Sequence, residues 1–159
     1  MKSYPKVSDR KIRIAIVGCG RISKNHFSSV ERHHDNIELV SVCDVQQDVL
    51  SKYEAESKVK GYLDLEQMLE NEKLDLVVFC TPSGIHAKQT EICAKHGVNV
   101  MTEKPMATEW SDGVRMVKAC DDAGVRLFVV KQNRTNLTLQ LLKRAIEEKR
   151  FGKIHMVHL

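Results

Sequence analysis

Two glycines and an aspartate carry the first chemical signal. In Gly18-Cys19-Gly20-Arg21-Ile22-Ser23 the glycines stand one residue apart, directly after a β-branched run. Gly18 permits a tight turn, and the missing side chain at Gly20 lets a pyrophosphate approach the backbone. The helix that opens at Arg21 and Ile22 aims the partial positive charge of its N–H groups at the same point, so both residues join the candidate cofactor set. Ser23 stands where the dinucleotide fingerprint usually has Gly or Ala, a departure by one small side chain. Alone, such a turn also fits an ordinary strand-to-helix connection. Asp44 adds an independent mark: it lies 24 residues after Gly20, at the end of the next apolar run. That is near the offset of about 20 at which a carboxylate accepts both adenosine ribose hydroxyls. A carboxylate there repels a 2′-phosphate, and no Arg follows at Val45 or Gln46, so NAD is expected over NADP. The alternative for Asp44 is a solvated acid at a strand end.

Two further clusters, Thr81-Pro82-Ser83-Gly84-Ile85-His86 and Glu103-Lys104-Pro105, also follow apolar runs, where ligands of a parallel sheet collect. Both should face the cofactor crevice. His86 is open to three readings, as metal ligand, catalyst or packing residue; with no partner at ligand spacing, a helix-start residue lining the nicotinamide pocket is favoured. An ordinary lysine, with a pKa of about 10.4, is a poor base at neutral pH, so a proton-transfer role for Lys104 needs burial or cationic neighbours. Otherwise it is a surface charge on a loop. In Lys131-Gln132-Asn133-Arg134, the amides of Gln132 and Asn133 can hydrogen-bond a nicotinamide or a substrate, and Arg134 can meet a carboxylate or diphosphate. Alternatively all three cap the helix that follows. The five cysteines contain no Cys-x-x-Cys pair and no His at zinc spacing, so neither a metal nor a disulfide is expected.

These residues need a scaffold, and the apolar periodicity supplies one. Ile12 to Val17, Ile37 to Cys43, Lys60 to Tyr62, Leu76 to Cys80, Val98 to Met101 and Val125 to Val130 read as buried strands. Between them lie helical stretches from Arg21 to about Arg32, with Ile22, His26, Phe27 and Val30 on the sheet side, and from about Gln47 to Glu56. Another is opened by Asp64 with Gln67 three places on, as in a capping box. Gly84 to His96 carries Ile85, Ile92 and Cys93 on one face and ends at Gly97. A helix capped by Thr108 carries Val114, Val117 and Cys120 and ends at Gly124. This alternation predicts a doubly wound parallel sheet, the Rossmann fold, over 11–134, because every crossover must lie over a sheet face. Residues 1–10 read as a flexible tail. Over 135–152, Leu137, Leu141, Leu142 and Ala145 mark a connecting helix stopped by Gly152. Lys153 to Leu159 alternates like the first strand of an α+β substrate domain, cut short.

The combination of Gly-x-Gly, Thr-Pro…His and Glu-Lys-Pro, in this order and from about Ile12 to Leu159, resembles the N-terminal half of the glucose–fructose oxidoreductase and inositol dehydrogenase (Gfo/Idh/MocA) family. The resemblance implies that Thr81, Pro82 and His86 line the cofactor site. Glu103 would hold the cofactor near its nicotinamide ribose, and Lys104 would reach the substrate beside the reacting carbon and assist proton movement. Pro105 would fix the turn. The histidine that often serves as main acid or base in the family's C-terminal domain lies outside these residues. Phe128 to Arg134 resembles the segment by which family members that oxidise UDP-linked N-acetylglucosaminuronic acid close the cofactor site. The implied activity is hydride transfer from a sugar carbon to NAD, with UDP-N-acetylglucosaminuronate 3-dehydrogenases of bacterial surface-polysaccharide (O-antigen) biosynthesis as the nearest subgroup. A free-sugar or inositol dehydrogenase is the alternative within the family. A non-catalytic NAD-binding or sensing module is the alternative outside it, disfavoured by a lysine directed at a reacting carbon.

Composition is compatible with this and narrows the partners. The 159 residues are 42% hydrophobic, enough for the core of one domain, and 25 basic against 21 acidic residues leave a net charge of only +4. No dedicated nucleic-acid surface is expected from so even a balance. No apolar run approaches the roughly 18 residues needed to cross a bilayer, and Met1 to Arg10 lacks the apolar stretch of an export signal. A cytoplasmic setting with reduced thiols is expected. So is homo-oligomerisation of the full-length protein, with Ile154, Met156, Val157 and Leu159 favouring self-association of the shorter chain. The expected partner is a sugar or nucleotide-sugar substrate, held jointly with the missing domain, so that these residues alone bind NAD without turning a sugar over.

Overall fold

The computed structural model describes residues 7–57 and 59–158, the side chains of Glu56 and Ser57 excepted. Six strands form one all-parallel sheet: β1 (Ile12–Val17), β2 (Ile37–Cys43), β3 (Lys60–Tyr62), β4 (Leu76–Phe79), β5 (Asn99–Thr102) and β6 (Leu127–Val129). Their order is β3-β2-β1-β4-β5-β6. This is the doubly wound Rossmann arrangement, in which the chain runs outward from β1 in one direction and then from β4 in the other. The crossovers carry α1 (Ser23–Arg32), α2 (Gln47–Ser57), α3 (Leu65–Asn71), α4 (His86–Lys95) and α5 (Trp110–Ala123), with a 3-10 turn at Ser83–Ile85 ahead of α4. The chain divides into two compact units, one ending at Val129 and the other beginning at Val130.

Alternation along the strands fills both faces of the sheet. Ala15, Val17, Val77, Phe79 and Val100 face one way and pack with Met68 and Leu69 of α3 and Cys93 of α4. Val42 faces the other way, with Leu50 and Tyr53 of α2 and Phe27 of α1. The pairing of β1 with β2 shifts between Ile14 and Ala15. That bulge leaves Val40 without a register partner and lets Leu39 and Val42, three residues apart, serve the same cluster. Burying a side chain as large as the fully enclosed Phe79 or Ile16 contributes about 1.5–3 kcal/mol, and Phe79→Ala would cost about 3–5 kcal/mol through the cavity left behind.

The helix ends follow the sequence closely at several points. Asp64, in an extended conformation, accepts the N–H of Gln67 at 2.9 Å and starts α3. Gly97 and Gly124, at φ +71° and +69°, close α4 and α5 in the left-handed region. Elsewhere the structure differs. Ile22 precedes α1 and is exposed, and Ile85, also exposed, lies in the 3-10 turn and not on the buried face of α4. Glu109, not Thr108, occupies the N-cap of α5, whose buried residues are Met116 and Cys120, while Val114 and Val117 are exposed. Met106 lies over Gly113 of this helix, where an added Cβ would sit 3.1 Å from its methyl carbon.

At the chain's beginning, Arg10 is tied down by two hydrogen bonds to the Asp75 carboxylate. Asp75 also accepts the Arg13 N–H, and the Arg10 guanidinium with that N–H holds its carboxyl below the usual range. Of the rest of the expected tail, residues 7–9 are exposed and residues 1–6 lie outside the described residues.

In the second unit, a 3-10 turn at Gln132–Thr135 leads into α6 (Leu137–Glu147), where Leu137, Leu141 and Leu142 are exposed. No strand forms among the described residues from 153 to 158, contrary to the alternation in the sequence, and Leu159 lies outside them. An alternating run becomes a strand only by hydrogen-bonding along a partner.

Candidate functional site

The chain reverses its winding between β1 and β4, and a cavity of about 540 Å³ opens at the carboxyl ends of these strands. Gly18, Gly20, Asp44, Thr81 and Pro82, drawn from three separate loops, all line it. Gly18 has φ +85°, and a Cβ there would stand 2.9 Å from the backbone of both Cys80 and Thr81. The turn after β1 therefore passes against the loop after β4 at a distance only glycine tolerates. Gly20 is different: nothing lies within 4 Å of the place its Cβ would occupy. Its bare backbone faces open space.

Ser23, in the third fingerprint position, is fully buried and donates its hydroxyl to the Gly20 carbonyl at 2.6 Å. The serine thus closes the turn with its own side chain while keeping the close packing a glycine would allow. No side chain caps the N-terminus of α1, so its first N–H groups remain donors for an anion. Arg21 and Ile22 are exposed at this turn.

Asp44 ends the β2 side of the cavity. Its Oδ2 accepts the Cys19 N–H at 2.7 Å and its Oδ1 accepts the Gln46 N–H at 3.0 Å. A carboxylate has about four acceptor positions, so each oxygen retains one for a ribose hydroxyl. Exposed Val45, Leu63, Pro82 and Ile85 supply apolar surface beside it, suited to the faces of a base. Open space at Gly20, an uncapped helix end, a two-oxygen acceptor and this apolar surround fit the phosphates, ribose and adenine of a dinucleotide.

The loop after β5 begins beside the end of β4, where the Glu103 N–H donates to the Phe79 carbonyl at 3.0 Å, but Glu103, Lys104 and Pro105 are not among the residues lining the cavity. Glu103 accepts a hydrogen bond at Oε2 from the Lys104 N–H and meets Nε2 of His26 through Oε1 at 2.9 Å. Burial pushes the Cys80 thiol up to about 12, and the Glu103 carboxylate adds to that shift. Lys104 is exposed, joined to Pro105 by a cis peptide, and no hydrogen bond or ion pair engages its ammonium among the described residues. The described residues do not supply the burial that a basic role for this lysine calls for.

His86 departs from its expected place. The ring is fully buried against Phe79, with Nδ1 3.2 Å from the Met106 carbonyl and Nε2 3.0 Å from the Thr81 carbonyl. Enclosed in this way it lines no crevice, and it instead fastens the Thr81 loop to the loop beyond Lys104. Thr81 itself donates its hydroxyl to Gln89 at 2.6 Å.

Gln132, Asn133 and Arg134 belong to the second unit, where all three are exposed. They do not cap α6. Asn136 does, accepting the N–H groups of Thr138 and Leu139.

The sequence places His26 on a packing face by its four-residue spacing from Ile22 and Val30, with no sign of its contact with Glu103. Residues 12–131 match the oxidoreductase family with an NAD-binding Rossmann fold. The chain belongs to this family. Its Rossmann domain is accordingly an NAD-binding one.

Among solved structures, the WlbA dehydrogenase of Chromobacterium violaceum, in complex with NADH and UDP-GlcNAcA, is 52% identical with a TM-score of 0.92 over 98% of this chain and 45% of its own. The WlbA dehydrogenase of Bordetella pertussis, with the same ligands, is 54% identical with a TM-score of 0.90 over 95% of this chain and 44% of its own. The myo-inositol 2-dehydrogenase of Thermotoga maritima is 30% identical over 93% of this chain and 44% of its own length. The chain thus spans less than half the length of the relatives it matches. No helix among the described residues is long and apolar enough to cross a membrane.

Proposed function

We propose that this chain is the NAD-holding part of a dehydrogenase that oxidises a hydroxyl of a nucleotide sugar, UDP-N-acetylglucosaminuronic acid at C3. Identity of 52–54% to two dehydrogenases whose structures hold NADH and UDP-GlcNAcA carries this choice, against 30% for the inositol enzyme above. Cytoplasmic synthesis of bacterial surface polysaccharide, in a homo-oligomer, is the setting proposed for it.

When bound, NAD supplies the electron sink, its nicotinamide taking the hydride as the sugar alcohol becomes a ketone. The chain's residues bind and orient. Gly18 brings the first turn against the Thr81 loop, Gly20 leaves room for the pyrophosphate, and the end of α1 with Arg21 and Ile22 complements its charge. Asp44 accepts the adenosine ribose hydroxyls and excludes a 2′-phosphate. Pro82 and Ile85 shield one side of the base. Glu103 holds the second ribose, and the Lys104 ammonium donates to the reacting oxygen, orienting the hydroxyl whose proton passes to a base outside these residues. The exposed amides of Gln132 and Asn133 and the Arg134 guanidinium are proposed for the nicotinamide and for the acidic groups of the substrate.

The test is oxidation by the protein bearing this domain, followed through the absorbance of reduced nicotinamide. UDP-N-acetylglucosaminuronic acid should be turned over with NAD, and Lys104→Ala should slow it by about 10²–10⁴-fold. Turnover of myo-inositol or a free sugar in preference would favour the second reading, which the 30% identical inositol dehydrogenase supports. Binding of NAD without turnover of any of these would favour a sensing module.

A further inference from the structure

We propose that His26 is a positioning residue of the cofactor site, holding the Glu103 carboxylate in place for the ribose next to the nicotinamide. The proposal rests on the reading above that Glu103 serves that half of the cofactor. The two side chains come from elements 77 residues apart in sequence, α1 and the loop after β5, and meet at 2.9 Å with only 16% and 12% of their surfaces exposed. A carboxylate so enclosed needs fixed donors. Glu103 has one on each oxygen: Nε2 of His26 on Oε1 and the Lys104 N–H on Oε2. With its proton on Nε2 the ring donates, and each carboxylate oxygen keeps a further lone pair for a ligand hydroxyl.

His26 stands on α1, the helix that opens at the Gly18–Ser23 turn with no side chain capping its N-terminus. One rigid element therefore carries both the anion-binding end and the clamp on the acid. Without the ring, Glu103 keeps only the N–H of the residue next to it, which does not fix its rotamer. Since Lys104 follows directly, the clamp also bears on where the Glu-Lys-Pro loop begins. The contact is not merely core packing: both partners are polar, and the Glu103 N–H donates to the Phe79 carbonyl at 3.0 Å, one residue before Cys80 of the cavity wall.

The test measures binding of NAD and of ADP, which lacks the second ribose, to the 159-residue chain by titration calorimetry, with thermal melts confirming folding. His26→Ala should weaken NAD at least about tenfold, the worth of one charge-assisted hydrogen bond, and leave ADP within about twofold. His26→Gln, whose amide can donate to the same oxygen, should recover most of the loss, whereas the shorter His26→Asn should not. In a Glu103→Ala background, His26→Ala should have no further effect. Equal weakening of NAD and ADP, unchanged NAD binding, failure of His26→Gln to recover binding, or additive losses in the Glu103→Ala background would overturn the proposal. If His26→Ala does not fold, the contrast between the Gln and Asn variants decides alone. A wild-type chain binding neither ligand would overturn the cofactor reading itself, and this proposal with it.

Discussion

Replacing Asp44 by Asn removes a charge while keeping size, and the structure sets how much should follow. Both carboxylate oxygens are already held by backbone N–H groups, at 2.7 and 3.0 Å, so the acid is oriented before any ligand arrives. Each oxygen offers one more acceptor site. A hydrogen bond to a charged group contributes about 1.5–3 kcal/mol, and the half-buried position of Asp44 argues for the lower end. Two weakened bonds then amount to about 2–3 kcal/mol, or roughly 30- to 150-fold in NAD affinity. Repulsion of a 2′-phosphate disappears with the charge. A wild-type preference for NAD over NADP of at least about tenfold, or about 1.4 kcal/mol, should therefore shrink below about threefold. One side of the amide also turns its own donors toward a backbone N–H, which should lower stability by about 1 kcal/mol without unfolding the domain. Titration calorimetry with both cofactors, on protein shown by a thermal melt to be folded, reads all of this. An Asp44→Asn protein that melts cooperatively and keeps the wild-type NAD affinity, or the wild-type ratio of NAD to NADP, would refute the reasoning.

The two glycines of the first turn should separate in their effects. Gly18→Ala combines a positive φ with a 2.9 Å approach to backbone and should cost about 2–4 kcal/mol, visible as a lower Tm. Gly20→Ala meets nothing within 4 Å, so its Tm should stay within a few degrees while calorimetry shows weaker NAD binding. Burial raises the Cys19, Cys43 and Cys80 thiols from 9.0 to about 12. The unfolded chain ionises first, so the resulting stability is full below about pH 9 and lost as the pH rises toward 12; melts across that range should show the fall, and a triple Ser variant should reduce it, leaving the part due to buried Cys93 and Cys120, whose thiols burial also raises. Maleimide at pH 8 should label Cys80, the one cysteine not fully buried and a wall of the cavity, ahead of the other four, with NAD slowing the reaction. Uniform labelling, or no protection by NAD, would contradict that placement.

The strands and the first two site marks were legible because local chemistry decides them. Ile12 to Val17 can hardly be anything but a buried strand ending at a glycine, and Gly97 and Gly124 sit where a left-handed residue must end a helix. Asp44 could be placed at the end of the second strand, where it lines the cavity, because a βαβ unit has a nearly fixed length. The contacts made by topology were not legible. Nothing near His26 in sequence announces Glu103, 77 residues on, because their meeting depends on β5 lying two strands from β1. The buried face of α5, Met116 and Cys120, is a packing choice that apolar spacing alone does not encode, since Val114 and Val117 share the spacing and are exposed. His86 was misplaced for a related reason: its type suggested a ligand contact, whereas its position between two carbonyls makes it a fastener of loops. Lys153 to Val157 has the alternation of a strand, but alternation specifies a face and not a partner.

The central claim is that NAD lies across the carboxyl ends of β1, β2 and β4, and a second cavity gives that claim a built-in rival. This one, of about 410 Å³, is lined by Ile12, Asp75, Asn99, Arg126 and Phe128 among others, with Ile12, Leu76 and Asn99 beginning their strands. Mapping amide shifts of the isotope-labelled chain during a titration with NAD distinguishes the two directly. Saturable shifts concentrated at Gly18, Gly20, Asp44, Thr81 and Glu103 are predicted, with Ile12, Asn99 and Phe128 unmoved. Shifts centred on Ile12, Asn99 and Phe128, or no saturable change at the first turn and Asp44, would contradict the account.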